Sequence, residues 1–448
     1  MNDQLAIEPQ RGRLVPLKTK GEIRATNETV DVYVVELPAR AANAVLSVLR
    51  TALSDAATAD LQHLRRVIKP DFLPAPALAR LAPARVTPPP NSGETRLLLV
   101  SRATLIPAAE LEGVLARHAP FAPAANDDNA NTASFPLAIH VLPVPALAPT
   151  SAPQADAWSA TYWPVAYKHT NPHGPHPSLV ARAQAEIEPQ AGRWLALAQR
   201  AALQAADRGL GPAVGCAVVE RRLDGNGRAV EEGKLVAVAG DARRCGLLGE
   251  AHLAGQHAKG GHAHGHGGTG SGAGGAAMST ANGNVMNHAA LRAIGMVAQK
   301  RLNLTTPTPT TKPAPAPTAP VPTIFADTPL TPLEAAVDAL ENTLAPSGYL
   351  CLDLEIYLSH EPCVMCSMAI LHSRFGRCVF ARRMPRSGGL GAEEWAAEAK
   401  ADVKAEAVSE VEADAGHGLF WRPAELNWKF LTWQWRCAYG IKDGWVEK

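Results

Sequence analysis

The chain has 448 residues, with 43 Lys and Arg against 42 Asp and Glu, 36 Gly, 37 Pro and only 5% aromatics. At roughly 150 residues per domain the length allows two or three domains, but the excess of Gly and Pro makes part of it loop or linker. A net charge of +1 gives no molecule-wide field for nucleic acid or an anionic membrane. No apolar run approaches the roughly 18 residues of a membrane span.

The opening MNDQLAIEPQRGR lacks the basic head and apolar core of a secretory signal. DVYVVEL (31–37) alternates as a strand, and AANAVLSVLRTAL (41–53) follows with helical spacing. TRLLLV (95–100) is a buried strand, PAAELEGVLARH (107–118) a helix and PLAIHVL (136–142) a strand. This β-α-β-α-β order predicts a small α+β domain within residues 1–150. QAGRWLALAQRAALQAADRG (190–209) is a helix closed by Gly209. PAVGCAVVERR (212–222) and GKLVAVAGDAR (233–243) are strands joined by a turn holding Asp224, Gly225, Asn226 and Gly227. Helix 287–302, strand 348–359, helix 361–375 and strand 376–383 complete an α-β-β-α-β-α-β order. It predicts a mixed α/β domain over residues 160–440.

Three low-complexity stretches interrupt that domain. Residues 250–283 are rich in Gly, His and Ser, 305–333 form a Pro/Thr/Ala tract, and 392–415 are Ala/Glu-rich and acidic. The first reads as flexible coil, the second as a stiffer spacer and the third as an exposed helix or disordered insert. Neither of the first two holds enough apolar residues for a core.

The sharpest chemical signal is Glu361-Pro362-Cys363-Val364-Met365-Cys366 at the start of a helix. Pro362 suits the first helical turn. Cys363 and Cys366, three apart, face one side of that turn, where the helix dipole favours thiolates. Two such thiolates are half a zinc site; a redox CxxC and a pair of core cysteines are the alternatives. The other cysteines (Cys216, Cys245, Cys351, Cys378 and Cys437) never form a second CxxC. Seven in all, an odd number, they also make no disulfide framework. The expected compartment is therefore reducing, nucleus and cytoplasm. A histidine from elsewhere could complete three ligands plus water. His288, opening the helix at Asn287-His288-Ala289-Ala290, matches the zinc-deaminase pattern H-x-E…P-C-x-x-C.

SHEPCVMCSMAILHSRFGRCVFARR resembles the zinc-helix block of the tRNA adenosine deaminases. With WPVAYK (163–168), NHAALRAI, GYLCLDLEIYLS and GLFWRPAELNWKFLTWQW (418–435), it is similar more narrowly to the noncatalytic subunits of the eukaryotic heterodimer that converts the wobble adenosine of tRNA to inosine. The resemblance covers 160–440 apart from the inserts. It implies a cytidine-deaminase-like three-layer α/β/α domain, zinc held by His288, Cys363 and Cys366, a catalytic deaminase subunit and tRNA as partners, and no membrane. It departs from the deaminase pattern at one position. The proton-shuttling Glu two residues after the ligand histidine is Ala290 here, and none of the fifteen histidines is followed two residues later by Glu. The same Glu is missing in the resembling subunits. The rival readings are an active zinc deaminase with a displaced acid and a stand-alone zinc scaffold binding RNA or protein. Glu361 is expected to fix the strand-to-helix turn through backbone N–H groups rather than to act as that acid.

Other features carry less. His252, His257, His262, His264 and His266 read as a low-complexity insert with incidental metal affinity. Arg374, Arg377, Arg382, Arg383 and Arg386, with no acid between them, are RNA-backbone candidates. Residues 1–150 carry 15 Lys and Arg against 14 Asp and Glu, so tRNA contact there needs a local patch, with Arg65, Arg66 and Lys69 as candidates. Six of the nine Trp lie in the last 54 residues. Trp428 and Trp435, seven apart, are expected to share a helical face in core or dimer packing, with base stacking the alternative.

Overall fold

The computed structural model describes residues 5–53, 61–81, 93–122, 134–222, 231–245, 283–305, 327–344, 348–391, 418–422 and 425–437. The Asp224–Gly227 turn, the five clustered histidines and the 392–415 stretch lie outside these residues. The chain divides into two compact units, Thr19–Pro177 and Met1–Lys18 with Ser178–Lys448. Strand β1 (Gly12–Pro16) belongs to the second, so the smaller unit begins later than residue 1 and ends later than residue 150.

In the smaller unit, Thr19 caps helix α1 (Lys20–Asn27) by accepting the Glu22 N–H, while the Glu22 carboxylate accepts the Thr19 N–H. There follow β2 (Thr29–Pro38), α2 (Ala42–Ala52), β3 (Val67–Ile68), α3 (Ala75–Leu81), β4 (Thr95–Arg102), α4 (Ala108–Leu115), β5 (Ile139–Pro145) and α5 (Ala152–Thr161). The four strands form an antiparallel sheet in the order β3-β4-β2-β5. Strand alternation sorts β2 into two cores. Val32 and Val34 pack with Leu97, Leu99 and Trp163, whereas Tyr33, Val35 and Leu37 pack with Leu49, Leu98 and Leu111. The expected β-α-β-α-β elements are all present, joined by α1, β3, α3 and α5.

The larger unit continues with α6 (Pro177–Asp207), β6 (Gly215–Glu220), β7 (Lys234–Gly240), α7 (Ala289–Thr305), α8 (Pro332–Asp338), β8 (Glu355–His360), α9 (Val364–His372), β9 (Arg377–Arg382) and β10 (Leu431–Cys437). The sheet order is β1-β10-β9-β8-β6-β7. Strands β8, β9 and β10 run parallel, and the remaining pairings are antiparallel. One face (Cys216, Val218, Ile356, Leu358, Cys378, Phe380) packs on Ala289, Ala293 and Met296 of α7 and Ile370 of α9. The other (Ala217, Val219, Tyr357, Val379, Trp433, Trp435) packs on Ile187, Trp194 and Leu195 of α6 and Leu333 and Val337 of α8. Two helix layers around one sheet make the expected three-layer α/β/α domain.

Four local readings differ from the sequence-based ones. Helix α6 starts at Pro177 rather than 190 and carries Pro189 inside it; an interior proline ordinarily marks a helix end. Residues 327–333 belong to the fold, not to the Pro-rich tract. Thr331 caps α8, and Leu333 is buried against the sheet. Strand β8 begins at Glu355, because Leu350 and Asp353 turn the chain at positive φ. Trp435 lies in a strand, not a helix, so period two governs. Trp433 and Trp435 enter one core while Trp428 packs on the opposite one.

Trp433 is fully buried, so Trp433→Ala should cost about 3–5 kcal/mol in denaturant unfolding. A loss under about 1 kcal/mol would contradict its place at the centre of that core.

Candidate metal centre

Two helix N-termini meet on one face of the larger sheet. His288 immediately precedes α7, and its carbonyl accepts the Arg292 N–H. Cys363 is the N-cap of α9, and Cys366 lies in its first turn. The His288 Nδ1 stands 3.7 Å from the Cys363 Sγ and 3.4 Å from the Cys366 Sγ. The three ligand atoms lie within 4.8 Å of one another and are the group of metal-ligating side chains found among the described residues. Zn–S and Zn–N bonds of about 2.3 and 2.0–2.1 Å in a tetrahedron put sulfur and nitrogen roughly 3.6 Å apart. The donor set, two sulfurs and an imidazole nitrogen, therefore fits zinc in both chemistry and spacing.

The sulfurs are electrostatically unequal. Hydrogen bonding from the Cys366 thiol, then from His288, draws Cys363 down to about 4 against the opposing effect of burial. Cys366, the donor and the more buried, is pushed up. Of the other cysteines, Cys216 and Cys351 are pushed up to about 12 by burial and Cys378 is pushed up likewise, as inert core thiols are. All seven are unpaired.

A cavity of about 170 Å³ adjoins the triad, lined among others by Asp241, Arg243, Ala290, His360, Glu361 and Ser387. Ala290 is 2% exposed and packs with the sheet residues. It offers no proton-transfer group where a deaminase carries its carboxylate. Glu361 anchors backbone N–H groups as expected, but those of the loop after β9 rather than of its own strand-to-helix turn. Its carboxylate accepts the N–H groups of Met384 (3.1 Å), Leu390 (3.0 Å) and Gly391, and its own N–H donates to the Arg382 carbonyl. Gly388 is required beside it, since a Cβ there would lie 2.4 Å from the Glu361 Cδ. Asp241 was not foreseen, and nothing in the local sequence marks it. It is buried, and both oxygens take the Arg243 Nε–H at 2.9–3.0 Å while one also accepts the Arg243 backbone N–H. Both carboxylates lining the cavity are thus engaged by donors other than a substrate.

The arginine run is not one continuous strip. Arg377 turns inward, bonding Glu355 at 2.9 Å and Glu186. Arg374 donates to the Asn427 carbonyl at 2.7 Å and lies over the Trp428 ring. Arg383 donates to Gln434 at 2.9 Å. Arg382 is half-buried and Arg386 exposed. In the smaller unit, Arg65 and Lys69 are exposed, while burial and the neighbouring Arg50 hold the Arg66 guanidinium below its ordinary value.

His360 lines the same cavity. Ser359 Oγ accepts the Gly215 N–H at 2.9 Å and lies 3.0 Å from His360 Nδ1. Burial, and then Arg382, hold this imidazole down to about 4 from its ordinary 6.5. Between those values the unfolded chain takes up a proton that the folded chain refuses, so stability should fall as pH drops from about 6.5 to 4. In the metal-free chain, His360→Gln should flatten this part of the stability profile. Identical slopes in both chains would contradict the assignment.

No family model matches the chain. It is 59% identical over 44 residues to the tRNA-specific adenosine deaminase subunit TAD3 of Saccharomyces cerevisiae, covering 10% of this chain and 14% of the relative. Identity is 35% over 85 residues to tRNA-specific adenosine deaminase subunit tad3 of Schizosaccharomyces pombe, covering 19% of each. It is 46% over 43 residues to tRNA-specific adenosine deaminase TAD3 of Arabidopsis thaliana, covering 10% and 11%. The matches therefore span under a fifth of these relatives' lengths. A solved chain from a study of A-to-I editing by tRNA:A34 deaminases is matched at 15% identity over 44% of this chain and 80% of that one, with a TM-score of 0.20, too low to carry an argument. The likeness of this chain to tRNA-specific adenosine deaminase subunits is thus one of short, strongly similar sequence segments.

Proposed function

We propose that this chain is the noncatalytic subunit of a tRNA wobble adenosine deaminase, working with a catalytic partner in adenosine-to-inosine conversion. The observation that carries the reading is the metal triad closed around Ala290, with Glu361 and Asp241 both committed elsewhere. His288, Cys363 and Cys366 would hold zinc, which in a deaminase supplies an activated water. Among the described residues, both carboxylates lining the cavity are held by other donors, and Ala290 offers no group to take that water's proton or return it to a leaving amine. The loss of one general acid–base is worth roughly 10²–10⁴-fold in rate, so the site serves structure. The sequence similarity to named TAD3 subunits supports the same role.

Surface chemistry supports a partner and a polyanion. Val364 and Met368, one turn apart on α9, are exposed, as are Tyr349 and Leu352 in the turn before β8; exposed apolar pairs of this kind suit a protein interface. The proposed partner there is the catalytic subunit. For tRNA, Arg382 and Arg386 are the members of the arginine run left to meet phosphates. No helix among the described residues is long and apolar enough to cross a membrane. Seven unpaired thiols suit the proposed nuclear and cytoplasmic location.

The purified chain alone should convert no adenosine in tRNA, and co-expression with a catalytic deaminase subunit should yield a complex that does. Turnover by the chain alone would overturn the noncatalytic role and favour a displaced acid. Failure to co-purify with the catalytic subunit would favour a stand-alone scaffold.

A further inference from the structure

His288 stands in a described stretch, residues 283–305, bounded on both sides by long segments of low complexity. Its position is set instead by two sets of contacts. On the approach, the Asn284 N–H donates to the Arg243 carbonyl at 3.0 Å, and the Ala242 N–H donates to the Asn287 carbonyl at 2.9 Å. The chain entering α7 is thereby laced to the residues leaving β7. One turn beyond His288, Arg292 is 0% exposed and forms an ion pair with Glu334 of α8, also 0% exposed.

The fork of Arg292 is fully used. One terminal nitrogen donates to the Gly240 carbonyl (2.6 Å) and to Glu334 Oε1 (2.7 Å). The other donates to Glu334 Oε2 (2.9 Å) and the Thr328 carbonyl (3.1 Å). Glu334 in turn accepts the N–H groups of Gly240 (2.8 Å) and Leu330 (2.6 Å). One side-chain pair therefore joins the first turn of α7, the end of β7 and the chain returning into α8.

A buried ion pair is seldom a net source of stability, since hydrophobic residues of similar size often do as well. What this pair supplies is register. One residue of slip along a helix is a translation of about 1.5 Å and a rotation of roughly 100°. Either would take the His288 Nδ1 out of reach of two sulfurs now 3.4 and 3.7 Å away. We propose that Arg292 and Glu334 are positioning residues for the metal site, holding α7 in the one register that brings His288 onto Cys363 and Cys366. The proposal rests on the metal reading above.

The test uses the full chain, with zinc affinity measured by chelator competition, ligand-field absorption after cobalt(II) loading, and thermal unfolding of the metal-free form. Arg292→Met with Glu334→Gln keeps the buried volume and one acceptor for Gly240. Affinity should fall about 10–100-fold, as when an outer-shell partner is lost, and the tetrahedral cobalt bands should weaken, with the metal-free melting temperature little changed. Arg292→Lys keeps the charge but not the fork, and should also lower affinity and alter the cobalt spectrum. Wild-type affinity and spectrum in either folded variant would overturn the positioning role while leaving the metal site standing. Loss confined to the metal-free melting temperature would make the pair merely structural and overturn it equally. A wild-type chain that takes neither zinc nor cobalt would overturn the metal reading and this proposal together.

Discussion

The larger unit depends on one constraint: His288 must meet Cys363 and Cys366 although 74 residues separate His288 from Cys363. The sheet order makes this possible. Strand β6 sits between β7, which leads toward α7, and β8, which leads into α9, so both helices lie over one face. Each presents its N-terminus to the same point, where the ends of β7 and β8 leave room for a cavity. The opposite face is covered by α6 and, over β7, by α8, with Trp433 and Trp435 of β10 in the same core.

A site built this way can lose its chemistry and keep its architecture. Zinc ligation needs two sulfurs and a nitrogen at fixed spacing, and the fold supplies these. Proton transfer in a deaminase needs a further carboxylate within reach of the reacting atoms, and Ala290, packed in the core at that position of the pattern, offers none. Glu361 and Asp241 lie nearby, but backbone amides occupy the first and Arg243 the second. Their carboxylates shape loops. The proposed noncatalytic role rests on this: among the described residues, both carboxylates lining the cavity are held by other groups.

The ligand triad and the missing Glu were legible because they are local patterns: a His opening a helix, a Pro-Cys-x-x-Cys opening another, and an Ala two residues past the His. The strands showed where apolar residues alternate, as in DVYVVEL. The capping box Thr19-x-x-Glu22 is a local pattern of the same kind, although no helix was expected there. Strand β10 misled because Trp428 and Trp435 fit a seven-residue period, whereas Trp433 and Trp435 obey the two-residue period of the strand they occupy. Arg377 looked like surface charge because Glu186 and Glu355, its partners, are 191 and 22 residues away. Arg292 and Glu334, 42 residues apart, were invisible for the same reason, whereas Asp241 has its partner, Arg243, only two residues away. Long-range pairing of buried charge leaves no mark in a local window.

The most direct measurement is X-ray absorption at the zinc edge of the purified full chain. The expected result is about one zinc per chain with two sulfur neighbours near 2.3 Å and a nitrogen at about 2.0–2.1 Å. A chain without zinc, or with zinc bound only through nitrogen and oxygen, would contradict a metal centre made by His288, Cys363 and Cys366.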